Sequence, residues 1–185
     1  MTARSPHPAR DALRARRSHS KVTDEAPSQA ELERLLEPMS SIADHSGLRP
    51  WRIISMRGAA RHRLGGGLAE ATGADTNKMI AKATRAPLVL AIVVSPRKSG
   101  KVPLWEQEAV ASGVAHALEL LLHEAGWGCF WRTGNATRAK SVRKAHGIKK
   151  PEYLLGWLYV GGIPDRDRKV KPRKPLDVTR HLTAL

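Results

Sequence analysis

The chain has 185 residues, enough for one domain with a proper core and too few to promise two. Its 41% hydrophobic and 26% charged content is that of a globular protein, and the lack of any run of ~18 apolar residues argues against a membrane span. A single cysteine, Cys129, excludes an intrachain disulfide and a cysteine-rich metal site, and points to a reducing, cytoplasmic home.

The net charge of +15 is concentrated at the two ends: residues 1–21 hold six Arg/Lys against one Asp, and residues 166–180 seven against two. Such tails suit nucleic acid, a phosphate-bearing cofactor or plain solvation, and charge alone does not choose among them. The basic start lacks an apolar stretch, so it is not a secretory signal. Residues 1–9 read as a flexible basic N-terminus and 10–185 as a single domain.

A short helix over 9–17 is expected to end at Arg16-Arg17-Ser18-His19-Ser20. Ser28 and Glu31 form a capping box for a helix whose apolar residues Leu32, Leu35, Leu36 and Met39 keep the i, i+3, i+4, i+7 period. A polar loop over 40–50 leads into a strand at 51–56. The next segment, 59–71, reads as a helix broken softly by Gly65-Gly66-Gly67, with a shorter helix at 77–84. Leu88 to Ser95 is a nearly unbroken β-branched run, the pattern of a strand buried on both faces. From Trp105 to Ala125 the apolar positions cover more than one stripe, predicting a long helix buried on several sides, with Pro103 in its first turn. Small residues at its middle (Ala111, Ser112, Gly113, Ala115) suit close approach of another backbone. Gly126 stops it, and Cys129-Phe130-Trp131 reads as a short buried strand delivering Arg132 and Thr133 to its end. Thr137 is expected to cap a short helix, and a last strand at 153–160 to end at Gly161-Gly162. Helices and strands do not alternate, so the fold class is α+β.

Familiar catalytic machinery is missing. Residues 95–101 lack the leading glycine and following hydroxyl of a phosphate-binding P-loop, and Gly126-x-Gly128 follows a helix where a dinucleotide fingerprint follows a strand. The histidines show no metal-ligand spacing, and no nucleophile elbow or helix-turn-helix signature appears. No catalytic side chain and no metal ligand is therefore assigned. A protein so built would take its chemistry from a cofactor.

Four motifs, in order, resemble the FMN-dependent nitroreductase family and its small bacterial NAD(P)H nitroreductase branch. They are Arg16-Arg17-Ser18-x-Ser20, Ala43-Asp44-His45-x-x-Leu48-Arg49-Pro50-Trp51, the run from Val102 to Glu108 followed by Gly126-Trp127-Gly128-x-x-Trp131-Arg132-Thr133-Gly134, and Lys171-Pro172-Arg173-x-Pro175-Leu176. This resemblance implies a central, mostly antiparallel sheet flanked by helices, in a homodimer with exchanged tails and FMN at the interface. It implies FMN contacts from Arg16, Arg17, Ser18, Ser20, Ser41, His45, Trp131, Arg132, Thr133 and Arg173. Hydride would pass from NADH or NADPH through the flavin to a nitroaromatic, quinone or similar acceptor, by a ping-pong scheme and with no membrane partner. The alternatives are a flavin-binding sensor without turnover and, on the basic tails, a nucleic-acid-binding module.

Overall fold

A computed structural model describes residues 6–165 and 173–185. Six helices and four strands follow one another as α1 (Pro8–Ala15), α2 (Gln29–Leu36), β1 (Trp51–Met56), α3 (Ala59–Thr72), α4 (Thr76–Ala83), β2 (Leu88–Val94), α5 (Leu104–Glu124), β3 (Trp127–Arg132), α6 (Lys140–Ala145) and β4 (Tyr153–Gly162). The strands form one sheet in the order β1-β2-β4-β3, every pair antiparallel. The α+β expectation holds.

β2 is the middle of everything. All seven of its residues are buried. Because successive side chains point to opposite faces, Leu88, Leu90 and Ile92 join one core cluster with Val114, Leu118 and Leu122 of α5, while Val89, Ala91 and Val93 join another with Leu64 of α3 and Val142 of α6. The unbroken apolar run thus encodes a sheet covered on both sides.

Local chemistry explains most boundaries. Proline in its first turn starts α1 at Pro8, so residues 8 and 9 are helical where a loose end was expected, and the helix stops at Ala15. The predicted capping box forms, with Ser28 Oγ accepting from Glu31 N and Glu31 Oε2 from Ser28 N. Asp75 caps α4 through Lys78 N. Pro103 flanks α5 as its N-cap and is not within its first turn, and Thr137 lies inside a 3-10 turn (Asn135–Arg138) preceding α6. Of the basic tail, 166–172 lies outside the described residues, which leaves the Lys171-Pro172 half of the closing motif there. Residues 178–180 form a single 3-10 turn.

Two glycine readings are corrected. The triplet in α3 does not break the helix. A Cβ on Gly65 would sit 2.5 Å from Ile80 Cα of α4, and one on Gly67 3.1 Å from Ser141 O of α6. These glycines let three helices approach closely, which offsets the ~0.5–1 kcal/mol that glycine costs within a helix. Nor do Gly161 and Gly162 end β4; they are its last two residues. There the chain entering the domain lies against them: Thr23 N donates to Gly162 O at 2.9 Å, Gly162 N donates to Glu25 O at 3.0 Å, and a Cβ on Gly161 would meet Thr23 O at 2.6 Å. Upstream, His19 N donates to Cys129 O at 2.8 Å as Ser18 bridges to Cys129 in parallel. Residues 18–25 thus run along the outer edge of β3 and the end of β4 and hold Arg16 and Arg17 beside the sheet.

A buried histidine sets one pH response. His146 Nδ1 donates to Val142 O at 2.7 Å and its Nε2 accepts from Trp157 Nε1 at 2.9 Å, so both ring nitrogens are used in the neutral form. Burial, aided by the charge of Arg52, lowers its pKa from the usual 6.5. Unfolded chain takes up the proton near that usual value while the folded form resists it, so stability is full above pH ~6.5 and falls as pH drops below it, by at most about 1.4 kcal/mol per pH unit. Urea unfolding at pH 7.5, 6.5 and 5.5 measures the slope, and His146→Gln is expected to flatten it.

Candidate functional site

The site is built on the face that α5 turns towards β3. Glu119, near the carboxyl end of α5, is only 5% exposed although it is acidic. Its Oε1 lies 3.6 Å from Arg16 Nη1 and accepts from the Cys129 thiol at 3.8 Å, and its Oε2 lies 3.5 Å from His116 Nδ1. A carboxyl group so deep is tolerated only with partners, and here the principal one is a predicted site residue. Arg16 also donates to Ser18 Oγ at 3.3 Å. Glu119 therefore fixes the guanidinium that the Arg-Arg-Ser motif presents.

Arg17 closes the end of α1. Its Nη1 donates to the carbonyls of Arg14, Ala15 and Arg16 at 2.6, 3.0 and 2.9 Å, the place where a helix carries partial negative charge. Arg173 arrives from the other end of the chain and donates to Arg16 O at 2.5 Å. Desolvation, then the adjacent charges of Arg17 and Arg16, lower the Arg173 pKa from its usual 12.5. Three guanidiniums and a hydroxyl thus converge with one carboxylate to balance them. That surplus suits a bound phosphate, for which arginine supplies a forked and permanently charged donor.

β3 contributes the rest of this half. Trp131 packs with the α5-side core and meets His116 edge-on, 4.8 Å between ring centroids. Arg132 points to the opposite face, 5.6 Å from the centre of the Tyr159 ring. The expected trio is therefore divided: Trp131 on one face, Arg132 on the other, and Thr133 exposed just past the strand. Gly156 of β4 makes the pair possible, since a Cβ there would lie 2.5 Å from Trp131 Nε1 and 2.7 Å from Arg132 O.

The remaining expected residues lie elsewhere. Ser20 lines a separate hollow with Lys21, Val22, Arg85 and Pro164. Ser41 ends a 3-10 turn, and His45 opens another (His45–Gly47) in which Ser46 takes positive φ; Arg49, just beyond it, does so too, and its N donates to Asp44 Oδ2 at 2.6 Å. His45 Nδ1 lies 2.8 Å from Oε2 of Glu106, in the first turn of α5. Glu106 and Glu119 are 13 residues apart on that helix, about 20 Å at ~1.5 Å per residue. One chain thus separates the Arg16 group from the His45 group. Glu119 and Gly156 went unmarked in the sequence: an acidic residue among the apolar positions of the long helix and a glycine inside a strand.

Cys129 is no nucleophile. Burial first, then Glu119, pushes its thiol up to about 12. Native protein is expected to leave it unmodified by Ellman's reagent at pH 8, with full reaction only after denaturation. Among the described residues no group of three or more His, Cys, Asp or Glu could hold a metal, and no helix is long and apolar enough to cross a membrane.

The sequence model of the Nitroreductase family matches residues 13–162, from within α1 to the end of β4. This chain belongs to the nitroreductase family. It is 33% identical over 153 residues to the Escherichia coli (strain K12) protein named "Putative NAD(P)H nitroreductase YdjA", covering 79% of this chain and 83% of that one. A Haemophilus influenzae relative, likewise named "Putative NAD(P)H nitroreductase", is 26% identical, covering 92% and 97%. The fold is also that of a crystal structure of a nitroreductase-like family protein from Bacillus cereus (TM-score 0.84, 19% identity, 100% of this chain and 98% of that chain). A second nitroreductase structure, the FMN and NADPH-dependent NfnB from sphigopyxis sp. strain HMH, superposes with TM-score 0.74 at 16% identity, covering 96% and 98%.

Proposed function

We propose that this nitroreductase-family chain is an FMN-dependent oxidoreductase that takes hydride from NAD(P)H and passes it to a nitroaromatic, a quinone or a similar acceptor in two separate half-reactions. The observation that carries the reading is the convergence of Arg16, Arg17, Arg173 and Ser18 on one spot, anchored from beneath by buried Glu119. Those groups would hold the FMN phosphate, and Thr133 and Arg132, at the end of β3, would contact the rest of the cofactor. When bound, the flavin supplies the hydride chemistry. The chain's own part is to bind, orient and exclude water.

The second half of the site, Ser41 and His45, comes from another copy in this reading. Two observations support a homodimer. The anchors of the Arg16 and His45 groups, Glu119 and Glu106, stand about 20 Å apart along α5, so within one chain the two groups attach to opposite ends of that helix. And Leu104 and Trp105, at the end of α5 that holds His45, are 52% and 70% exposed, apolar surface that a second subunit would cover. A reductase drawing on NAD(P)H fits a cytoplasmic location.

A visible spectrum of the purified protein, followed by heat release and identification of the cofactor, is the test. Yellow protein yielding about one FMN per chain, and oxidising NADPH or NADH when menadione or nitrofurazone is present, is the expected result. Bound FMN without acceptor-dependent oxidation would favour the sensor reading. Colourless protein that also fails to take up added FMN would overturn the proposal.

A further inference from the structure

Adjoining the Arg16 cluster, and sharing Arg17 and Arg173 with it, lies a groove of about 890 Å³ between α1 and the carboxyl-terminal segment. Arg10, Leu13 and Arg14 occupy one stripe of α1 (i, i+3, i+4), with Arg17 just past its end, and face Arg173, Lys174, Leu176 and Val178. Five of the lining residues are cations and none is acidic. Arg10 is partly neutralised by Asp11 at 3.4 Å, whereas Arg14 and Lys174 pair with no carboxylate among the described residues. The floor is apolar: Leu13 and Leu176 are 62% and 67% exposed, an arrangement that costs free energy unless something covers them.

One flavin phosphate does not balance this charge. It carries about two negative charges near neutral pH, and Arg16, Arg17 and Arg173, less the Glu119 carboxylate, already match it before Arg14 and Lys174 are counted. The groove calls for a further anion joined to a flat or apolar body. We infer that it holds the adenosine end of the electron donor, the base over Leu13, Leu176 and Val178 and the 2′-phosphate against Arg14 and Lys174, which makes the protein selective for NADPH over NADH. This rests on the reductase reading for its meaning but not for its measurement. A second copy's tail does not supply that anion, since residues 166–180 are themselves basic, with seven Arg/Lys against two Asp. A nucleic-acid backbone would have no use for the apolar floor.

Titration calorimetry of adenosine 2′,5′-bisphosphate and of 5′-AMP into the full-length protein, with and without added FMN, reads the groove directly. The bisphosphate is expected to bind at least about tenfold more tightly than 5′-AMP, as one further charge-assisted contact requires. Arg14→Ala/Lys174→Ala is expected to abolish that difference and to raise KM for NADPH about tenfold, while KM for NADH and the flavin content stay unchanged. Equal affinity for the two nucleotides overturns the inference, as does a variant with an unchanged NADPH/NADH ratio. Displacement of the bisphosphate by FMN would make the groove the flavin's own phosphate pocket, and displacement by generic duplex DNA would make it a nucleic-acid surface; either outcome overturns the inference too. Failure of the reductase reading shows separately, as protein that takes up no flavin whatever the titration gives.

Discussion

Alanine at position 156 is expected to lower stability by about 3 kcal/mol, the upper range for forcing one methyl into a filled space. The added carbon would lie 2.5 Å from Trp131 Nε1, 2.7 Å from Arg132 O and 3.0 Å from Thr133 Cγ2. A side chain could swing away, but Arg132 O belongs to β3, which pairs with β4 along its whole length from Trp127↔Gly162 to Arg132↔Trp157. Relief therefore means opening the end of that ladder, where the site residues stand. For a chain of this size the loss corresponds to a melting temperature lower by roughly 6–12 °C. Flavin affinity should fall with it, because Trp131, Arg132 and Thr133 shift together. Gly66→Ala is the control: nothing lies within 4 Å of its Cβ, and alanine should raise helix stability by up to about 1 kcal/mol. A Gly156→Ala protein melting with the wild type would show that β3 and β4 are not packed as described.

The second large effect comes from separating Arg16 from Glu119. Arg16→Ala removes a proposed phosphate donor and should weaken FMN binding by roughly 10- to 100-fold, the range expected for one charge-assisted hydrogen bond. It also leaves Glu119, with its side chain 7% exposed, facing only His116 and the Cys129 thiol. Stripping a buried carboxylate of its partner costs about 3 kcal/mol. The two losses come apart in the double variant. Arg16→Ala/Glu119→Gln no longer buries an unmatched charge, so its melting temperature should recover most of the way, while flavin affinity should not recover at all. Glu119→Gln alone is expected to loosen Arg16 and weaken FMN binding about tenfold. Tighter binding in that variant would mean that the carboxylate repels the phosphate more than it positions the arginine. A double-mutant cycle on both readouts separates the two roles.

Elements with strong local signals were legible in the sequence. The β-branched run of β2, the capping box before α2 and the apolar faces of α5 report structure through propensity and period. Contacts joining distant parts of the chain carry no such signal. Gly65 and Gly67 look like helix breaks until Ile80 and Ser141 are placed against them, and Gly161 looks like a strand end until Thr23 arrives. In the site, Arg16, Arg17 and Ser18 stood out as a motif, yet nothing in the sequence joins them to Glu119, an acidic residue on the buried stripe of α5 with Ala115 and Leu122. The division of Trp131 from Arg132 follows from strand alternation and was readable. That Arg173 meets Arg16 was not, because 157 residues separate them.

That same long closure has a bearing on synthesis. Residues 18–25 are made early, but their hydrogen-bond partners, Cys129 and Gly162, leave the ribosome more than a hundred residues later. Until then the Arg-Arg-Ser segment has no sheet to lie beside, and Arg173, which completes the cluster, emerges later still. An incomplete nascent chain can therefore form helices but not the proposed phosphate cradle. Coenzyme capture would then act as a certificate of completion, granted only to molecules whose two ends have met.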